Sequence, residues 1–280
     1  MSWTEEVVML ARIETAREMA ASHLRECRLC PRECRVDRSS GQVGYCGLDD
    51  KIRCFREMLH GAEEAELSPS HQVYFAGCNL RCGFCTVPEW NEEPLAVAEL
   101  DERRLIGRIE HRRSQGAKNL NLLGGEPTVS LPGILDLLAK SQPVTPIVLN
   151  SNMYYNEPIG GLLDAFVGVY LADLKCGDSR CAQALLDARD YVDVARRNIV
   201  RASGRSNLIV RHLVLPGHMD CCLRPTLQWL AGEIPDVKLS LRTNYVPPAA
   251  PGAAPRDYLP RQDIIAATNE ARNLGLRLIE

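Results

Sequence analysis

No stretch of this chain is apolar for long enough to cross a bilayer, a task that takes about 20 consecutive residues. The first residues, Met1-Ser2-Trp3-Thr4-Glu5-Glu6, have neither the basic start nor the apolar centre of a secretory leader. The expectation is a cytoplasmic protein with no membrane partner. Charge of one sign is missing too: 33 Lys and Arg stand against 36 Asp and Glu, a formal net charge of −3. That balance gives no reason to expect a nucleic-acid partner. With 45% hydrophobic and 25% charged residues over 280 positions, the chain is an ordinary globular mixture. It can bury a core without covalent staples, as one large domain or one domain with an appendage.

Cysteine is what the chain has in excess, at twelve residues. In a reducing compartment, clustered cysteines are read as metal ligands before disulfides. The densest signal is Gly77-Cys78-Asn79-Leu80-Arg81-Cys82-Gly83-Phe84-Cys85, a C-x3-C-x2-C run after an apolar stretch. Three thiolates on one loop bind three corners of a cubane iron–sulfur cluster and leave the fourth iron without a protein ligand. A bare corner suits a cluster that must bind a small molecule. Taken alone, the three cysteines also fit a zinc loop or buried thiols.

A second set precedes it: Cys27, Cys30, Cys34 and Cys46. Its C-x2-C and G-x-C-G turns point backbone amides at thiolates. Four thiolates make a complete tetrahedral set, for a structural or auxiliary metal; spacing does not separate zinc from a second iron–sulfur cluster. Cys54 reads as a buried thiol. Cys176, Cys221 and Cys222 have no ligand spacing to another cysteine and read as packing residues, Cys176 standing apart as the neighbour of Lys175.

Helical periodicity over residues 3–26 predicts an N-terminal helix. From about residue 71 strands and helices alternate. Strands are expected over 71–76, 119–123, 147–149, 168–174, 208–215, 237–241 and 276–279. Helices are expected over 100–114, 131–140, 159–166, 181–202, 223–233 and 262–274. This alternation implies a parallel α/β sheet, with polar motifs at the strand ends. The division expected is 1–70, a helix and Cys-rich metal-binding segment, and 71–280, the strand–helix domain.

Four motifs carry the chemistry. In Gly124-Gly125-Glu126-Pro127, the two glycines let backbone approach a ligand and leave carbonyls to accept from an ammonium group. Asn150-Ser151-Asn152 offers short polar side chains at the next strand end. Asp173 and Lys175 lie two apart on a strand and share a face, a costly arrangement unless the pair is satisfied or bound to ligand. Arg211 and His212 alternate to opposite faces, so only one of them lines the interior.

The C-x3-C-x2-C spacing, with the aromatic Phe84 before the last cysteine, resembles the signature of the radical S-adenosylmethionine (SAM) superfamily. A longer pattern resembles its PflX-like branch, cytosolic enzymes similar to pyruvate formate-lyase (glycyl radical enzyme) activating enzymes. That pattern comprises Cys27, Cys30-Pro31-Arg32, Cys34, Val36-Asp37-Arg38, Gly41, Gly44 and Cys46, then Asn150 to Tyr154, Tyr170 to Lys175 and Asp178 to Ala182. The resemblance spans about residues 24–280 and selects a partial (β/α)6 TIM-like barrel with an N-terminal Cys-rich extension over a doubly wound sheet. It implies a [4Fe-4S] cluster on Cys78, Cys82 and Cys85. It implies S-adenosylmethionine beside Phe84, Gly124, Gly125, Glu126, Pro127, Asn150, Asn152, Asp173, Lys175 and His212. It further implies an electron donor such as flavodoxin or ferredoxin and, once the cofactor is reductively cleaved to an adenosyl radical, hydrogen abstraction from a protein or peptide.

Departures from the activase pattern are Thr86 to Asn91 after the last cysteine, Asn150 in place of the usual Asp, and Asn244-Tyr245. They speak against pyruvate formate-lyase itself as substrate and against a monovalent-cation site. Two alternatives stand beside this reading: a radical enzyme acting on a small molecule, and a non-catalytic iron–sulfur or zinc module serving as an electron carrier. The Pro- and Ala-rich run from Val246 to Pro255 is expected to be a stiff loop, a cover for the barrel mouth or a plain linker.

Overall fold

The computed structural model describes residues 3–62, 64–141, 146–249 and 252–279, with side chains from residue 8 onward. Two compact units emerge: residues 1–79, 87–151 and 155–169 in the first, and 80–86, 152–154 and 170–280 in the second. The first cysteine of the C-x3-C-x2-C run therefore belongs to one unit and the other two to the other.

The first unit opens with helix α1 (Trp3–Arg25), as the periodicity predicts. Its Ile13, Ala16 and Ala20 are buried at the i, i+3, i+7 spacing that forms one helical face, and the helix packs on α4 (Leu131–Ser141) and α5 (Glu157–Leu163). Strand β1 (Cys54–His60), which the sequence reading misses, pairs antiparallel with β2 (Ser70–Phe75). Next come α2 (Glu89–Glu92), α3 (Glu102–Ser114), β3 (Leu120–Gly124) and β4 (Ile147–Ser151). Asp101 caps α3 by accepting from the Arg104 amide at 3.0 Å. Strands β2, β3 and β4 pair in parallel, with Phe75 opposite Gly124. Their carboxyl ends therefore share one edge, and Cys78, the Gly-Gly-Glu-Pro turn and Ser151, the last residue of β4, all lie at it. Behind it, α4 buries Leu131, Ile134, Leu135 and Leu138, each contributing about 2 kcal/mol.

The second unit holds most of β5 (Val169–Asp173), then α6 (Ser179–Leu186), α7 (Tyr191–Ser203), β6 (Asn207–Leu213), α8 (Arg224–Glu233), β7 (Lys238–Arg242), α9 (Arg261–Asn273) and β8 (Arg277–Ile279). Strand β6 pairs in parallel with β7, and β7 with β8.

The single helix expected over 181–202 is two. Asp187 adopts the left-handed conformation (φ 55°, ψ 40°) and ends α6. The break frees helix-end carbonyls, and two of them are used: Leu185 accepts from the Gly83 amide at 2.8 Å and Leu186 from the Arg81 amide at 3.0 Å. The loop carrying Cys82 and Cys85 is docked on the end of α6. The expected helix over 223–233 is preceded by a π-helical turn, Met219–Leu223.

Candidate functional site

In the first unit the four N-terminal cysteines line one cavity with Arg38 and Tyr45. The loop is tied by the Cys27 amide donating to the Val36 carbonyl at 3.1 Å and the Arg35 amide donating to Cys27 at 3.0 Å. The Tyr45 amide donates to the Cys34 sulfur at 3.2 Å. Gly44 passes so close that a Cβ there would meet that sulfur at 2.8 Å. Arg38 is buried and donates to the carbonyls of Asp49 and Val129, which fixes the knuckle to the unit. Burial pushes the Cys30 thiol up to about 12, and the neighbouring Cys46 and Cys27 push the same way. Burial raises Cys46 as well. Thiols held protonated in this way give up their protons only to a cation that takes the charge, but the four sulfurs are not among the groups of described residues whose ligand atoms lie within 4.8 Å of one another. Asn79, next after Cys78, is joined to the knuckle: its carbonyl accepts from Arg32 Nε at 3.0 Å, and its side chain hydrogen-bonds the Cys30 thiol.

The Gly-Gly-Glu-Pro turn lies at the end of β3. Gly124 has φ +124°, and a Cβ on Gly125 would fall 2.1 Å from the Gly77 carbonyl oxygen and 2.2 Å from Asn91 Oδ1. The close approach these glycines permit is to the end of β2, where the Gly125 amide donates to Phe75 and the Glu126 amide to Gly77. Glu126 is fully buried. Its Oε1 accepts from the Thr128 amide at 3.1 Å, the Thr128 hydroxyl at 2.8 Å and the Ser151 hydroxyl at 2.8 Å. Pro127 opens the short 3-10 turn that Glu126 caps. Trp90 stacks on Phe55 with centroids 5.2 Å apart.

In the second unit Cys82 and Cys85 share a tight turn, the Cys85 amide donating to the Cys82 carbonyl at 3.0 Å. Phe84, between them, is half-buried. Burial pushes the Cys82 thiol up to about 12, against the pull of the Lys175 ammonium. Lys175 Nζ donates to Asp173 Oδ2 at 2.6 Å, and Arg211 Nη1 lies 3.9 Å from Asp173 Oδ1. Burial would lower the Lys175 ammonium, but the Asp173 carboxylate and the Cys82 sulfur hold it well above its ordinary value. The buried Tyr191 hydroxyl donates to the Asp173 carbonyl at 2.7 Å and accepts from the Lys175 amide at 3.0 Å. His212 is buried with Nδ1 2.6 Å from the Leu174 carbonyl oxygen. A carbonyl only accepts, so Nδ1 carries the proton, and burial lowers the ring's proton affinity. Asn152 is buried and accepts from the Tyr154 amide at 2.8 Å. Asn150, at the end of β4 in the first unit, is half-buried.

Arg211 and Tyr191 are not among the residues the motifs select. Strand alternation offers Arg211 as the alternative to His212, whereas Tyr191 lies in no motif and becomes visible only when α7 meets the end of β5. In the Pro- and Ala-rich run, residues 250 and 251 lie outside the described residues. Of the rest, Ala254 is buried near Gly83, and the Tyr245 hydroxyl donates to the Pro255 carbonyl at 2.7 Å. Cys221 and Cys222, expected as packing residues, converge with Cys181 on His218. The i, i+3, i+4 spacing of His218, Cys221 and Cys222 is the signal that spacing between cysteines alone overlooks.

Residues 73–230 match the family model for the Radical SAM superfamily. The chain belongs to this superfamily. An uncharacterized protein of Methanocaldococcus jannaschii is 32% identical over 238 residues, covering 82% of this chain and 69% of that one. A 7-carboxy-7-deazaguanine synthase of Methanothermobacter thermautotrophicus is 33% identical over 129 residues, 45% of this chain and 52% of that one. The crystal structure of Streptococcus suis SuiB bound to S-adenosylmethionine has a TM-score of 0.53 at 14% identity, covering 72% of this chain and 47% of that one. That likeness is one of fold, and the chain spans about half the length of that solved protein. As a radical SAM protein this chain has the α/β partial-barrel fold, and the family's cofactors are a [4Fe-4S] cluster and S-adenosylmethionine. Radical SAM enzymes draw electrons from an external reductant.

Proposed function

We propose that this radical SAM protein abstracts a hydrogen atom from a protein or peptide substrate. The observation that carries the reading is the second-unit constellation: Cys82 and Cys85 on a loop fixed to α6, with the Asp173–Lys175 pair close enough to act on the Cys82 sulfur. When bound, the cluster and cofactor together supply one-electron cleavage of a carbon–sulfur bond and hence a hydrogen-abstracting species. This chain's own residues bind and orient. Cys78, Cys82 and Cys85 are assigned the cluster from their spacing. Lys175 and Asp173 offer a cation and an anion to the cofactor's methionyl carboxylate and ammonium. The backbone of Gly124 to Pro127, with Phe84, Asn150, Asn152 and His212, is assigned to the remaining cofactor contacts. Cys27, Cys30, Cys34 and Cys46 are assigned a second metal, zinc or iron–sulfur. Segment 1–70 is the metal-binding extension and 71–280 the catalytic domain. Reduced flavodoxin or ferredoxin is the proposed donor. A small-molecule substrate is the competing reading, favoured by the partial match to 7-carboxy-7-deazaguanine synthase.

Anaerobic reconstitution with iron, sulfide, dithionite and S-adenosylmethionine tests the reading. Wild-type protein is expected to form 5′-deoxyadenosine and methionine, and Cys82→Ala to form none. Full turnover by Cys82→Ala sinks the cluster assignment. Label transfer from a deuterated peptide library into 5′-deoxyadenosine supports a peptide substrate, and transfer only from small metabolites overturns it.

A further inference from the structure

We propose that Cys181, His218, Cys221 and Cys222 form a structural zinc site that clamps the start of α6 to the π-helical turn before α8. The four ligand atoms lie within 4.8 Å of one another, and no other group of three or more Cys, His, Asp or Glu does so among the described residues. His218 Nδ1 is 3.6 Å from Cys181 Sγ, 3.3 Å from Cys221 Sγ and 3.9 Å from Cys222 Sγ. A tetrahedral ion with Zn–S near 2.3 Å and Zn–N near 2.05 Å sets sulfur and nitrogen about 3.6 Å apart. The three observed distances straddle that value. A cubane cluster, whose sulfur ligands sit on different irons, needs a wider spread.

The local fold explains the convergence. His218 precedes the turn Met219–Leu223, and the Cys222 amide donates to its carbonyl at 3.0 Å, so positions i, i+3 and i+4 share one face. The fourth ligand, Cys181, sits in the first turn of α6, its amide held by Asp178 Oδ1 at 3.1 Å. Gly177 lets the chain pass: a Cβ there would lie 2.4 Å from the Cys222 carbonyl oxygen. The set is closed, with four protein ligands and no open position, which is the pattern of structural rather than catalytic zinc. Binding balances as three thiols and a neutral imidazole taking one Zn²⁺ and releasing three protons, leaving a site of net charge −1. The consequence is positional. Helix α6 carries the ligand at one end and, at the other, the carbonyls that hold the Arg81 and Gly83 amides.

The test counts metals in the full-length reconstituted protein. Wild type is expected to hold about one zinc per chain in this site, which Cys181→Ser and Cys221→Ser lose while iron and sulfide stay unchanged. Zinc-edge X-ray absorption of wild type reads the shell without relying on a variant's folding. Three sulfurs near 2.3 Å and one nitrogen near 2.05 Å support the site, and His218→Cys should convert that shell to four sulfurs with the zinc retained. Four outcomes overturn it: zinc-free wild type, unchanged zinc in both serine variants, loss of iron rather than zinc, or a disulfide between Cys181 and Cys221 in protein kept anaerobic.

Discussion

Tyr191 donates its hydroxyl proton to the Asp173 carbonyl at 2.7 Å and takes the amide of Lys175 at 3.0 Å in return. One buried hydroxyl thus pins both ends of the Asp173-Leu174-Lys175 turn. With neither donor nor acceptor, Tyr191→Phe leaves the Lys175 amide without this partner. The expected cost is about 1–3 kcal/mol, read by urea denaturation with unchanged slope. Because the hydroxyl acts through the Asp173–Lys175 pair, the KM for S-adenosylmethionine should rise more than kcat falls.

Asp173 stands between Lys175 Nζ at 2.6 Å and Arg211 Nη1 at 3.9 Å. Asp173→Asn removes the carboxylate that holds both cations in place. Affinity for S-adenosylmethionine, measured by equilibrium dialysis, is expected to fall about tenfold, one charge-assisted hydrogen bond's worth, with iron content unchanged. Unaltered affinity would remove the pair from the cofactor site.

Gly125→Ala and Gly107→Ala should move stability in opposite directions. A Cβ on Gly125 meets the Gly77 carbonyl at 2.1 Å, whereas one on Gly107, inside α3, meets nothing within 4 Å. Thermal unfolding is expected to show a loss of about 1–3 kcal/mol for the first. The second should gain about 0.5–1 kcal/mol from helix propensity.

Acid should weaken the first unit in two steps. Glu57 Oε1 lies 2.9 Å from His71 Nε2 and 2.7 Å from Arg112 Nε, and Oε2 is 2.8 Å from Arg108. Burial alone would raise the Glu57 carboxyl, but Arg112 and Arg108 hold it below its ordinary 4.5. Burial keeps His71 below 6.5 despite Glu57. Both groups bind protons more tightly in the unfolded chain, so stability falls as pH drops, through His71 below 6.5 and then through Glu57 below 4.5. Glu57→Gln should cost about 2 kcal/mol at pH 7 and flatten the lower part of the curve of urea midpoint against pH.

The strands and helices around the motifs were legible because apolar periodicity is local. Helix α1, the β2 and β3 strands and the Gly-Gly-Glu-Pro turn all lie close to where pattern and turn residues put them. The break at Asp187 was not legible, since Cys181 to Ala202 reads as continuous helix. What opens it is the use of the freed Leu185 and Leu186 carbonyls by the Arg81 and Gly83 amides, about a hundred residues earlier in the chain. Strand β1 escaped for a similar reason: its residues are half-buried rather than alternating, and pairing with β2 defines it.

By itself the sequence determined where the cysteines cluster along the chain, because spacing is a local property. It also determined the alternating α/β order, which hydrophobic period encodes directly. Only the tertiary structure decided that Arg211 faces Asp173, that Tyr191 holds the turn beyond β5, and that Cys181 meets a histidine and two cysteines nearly forty residues on. Those meetings depend on which strand ends and helix starts are brought together, and distance along the chain carries no record of that.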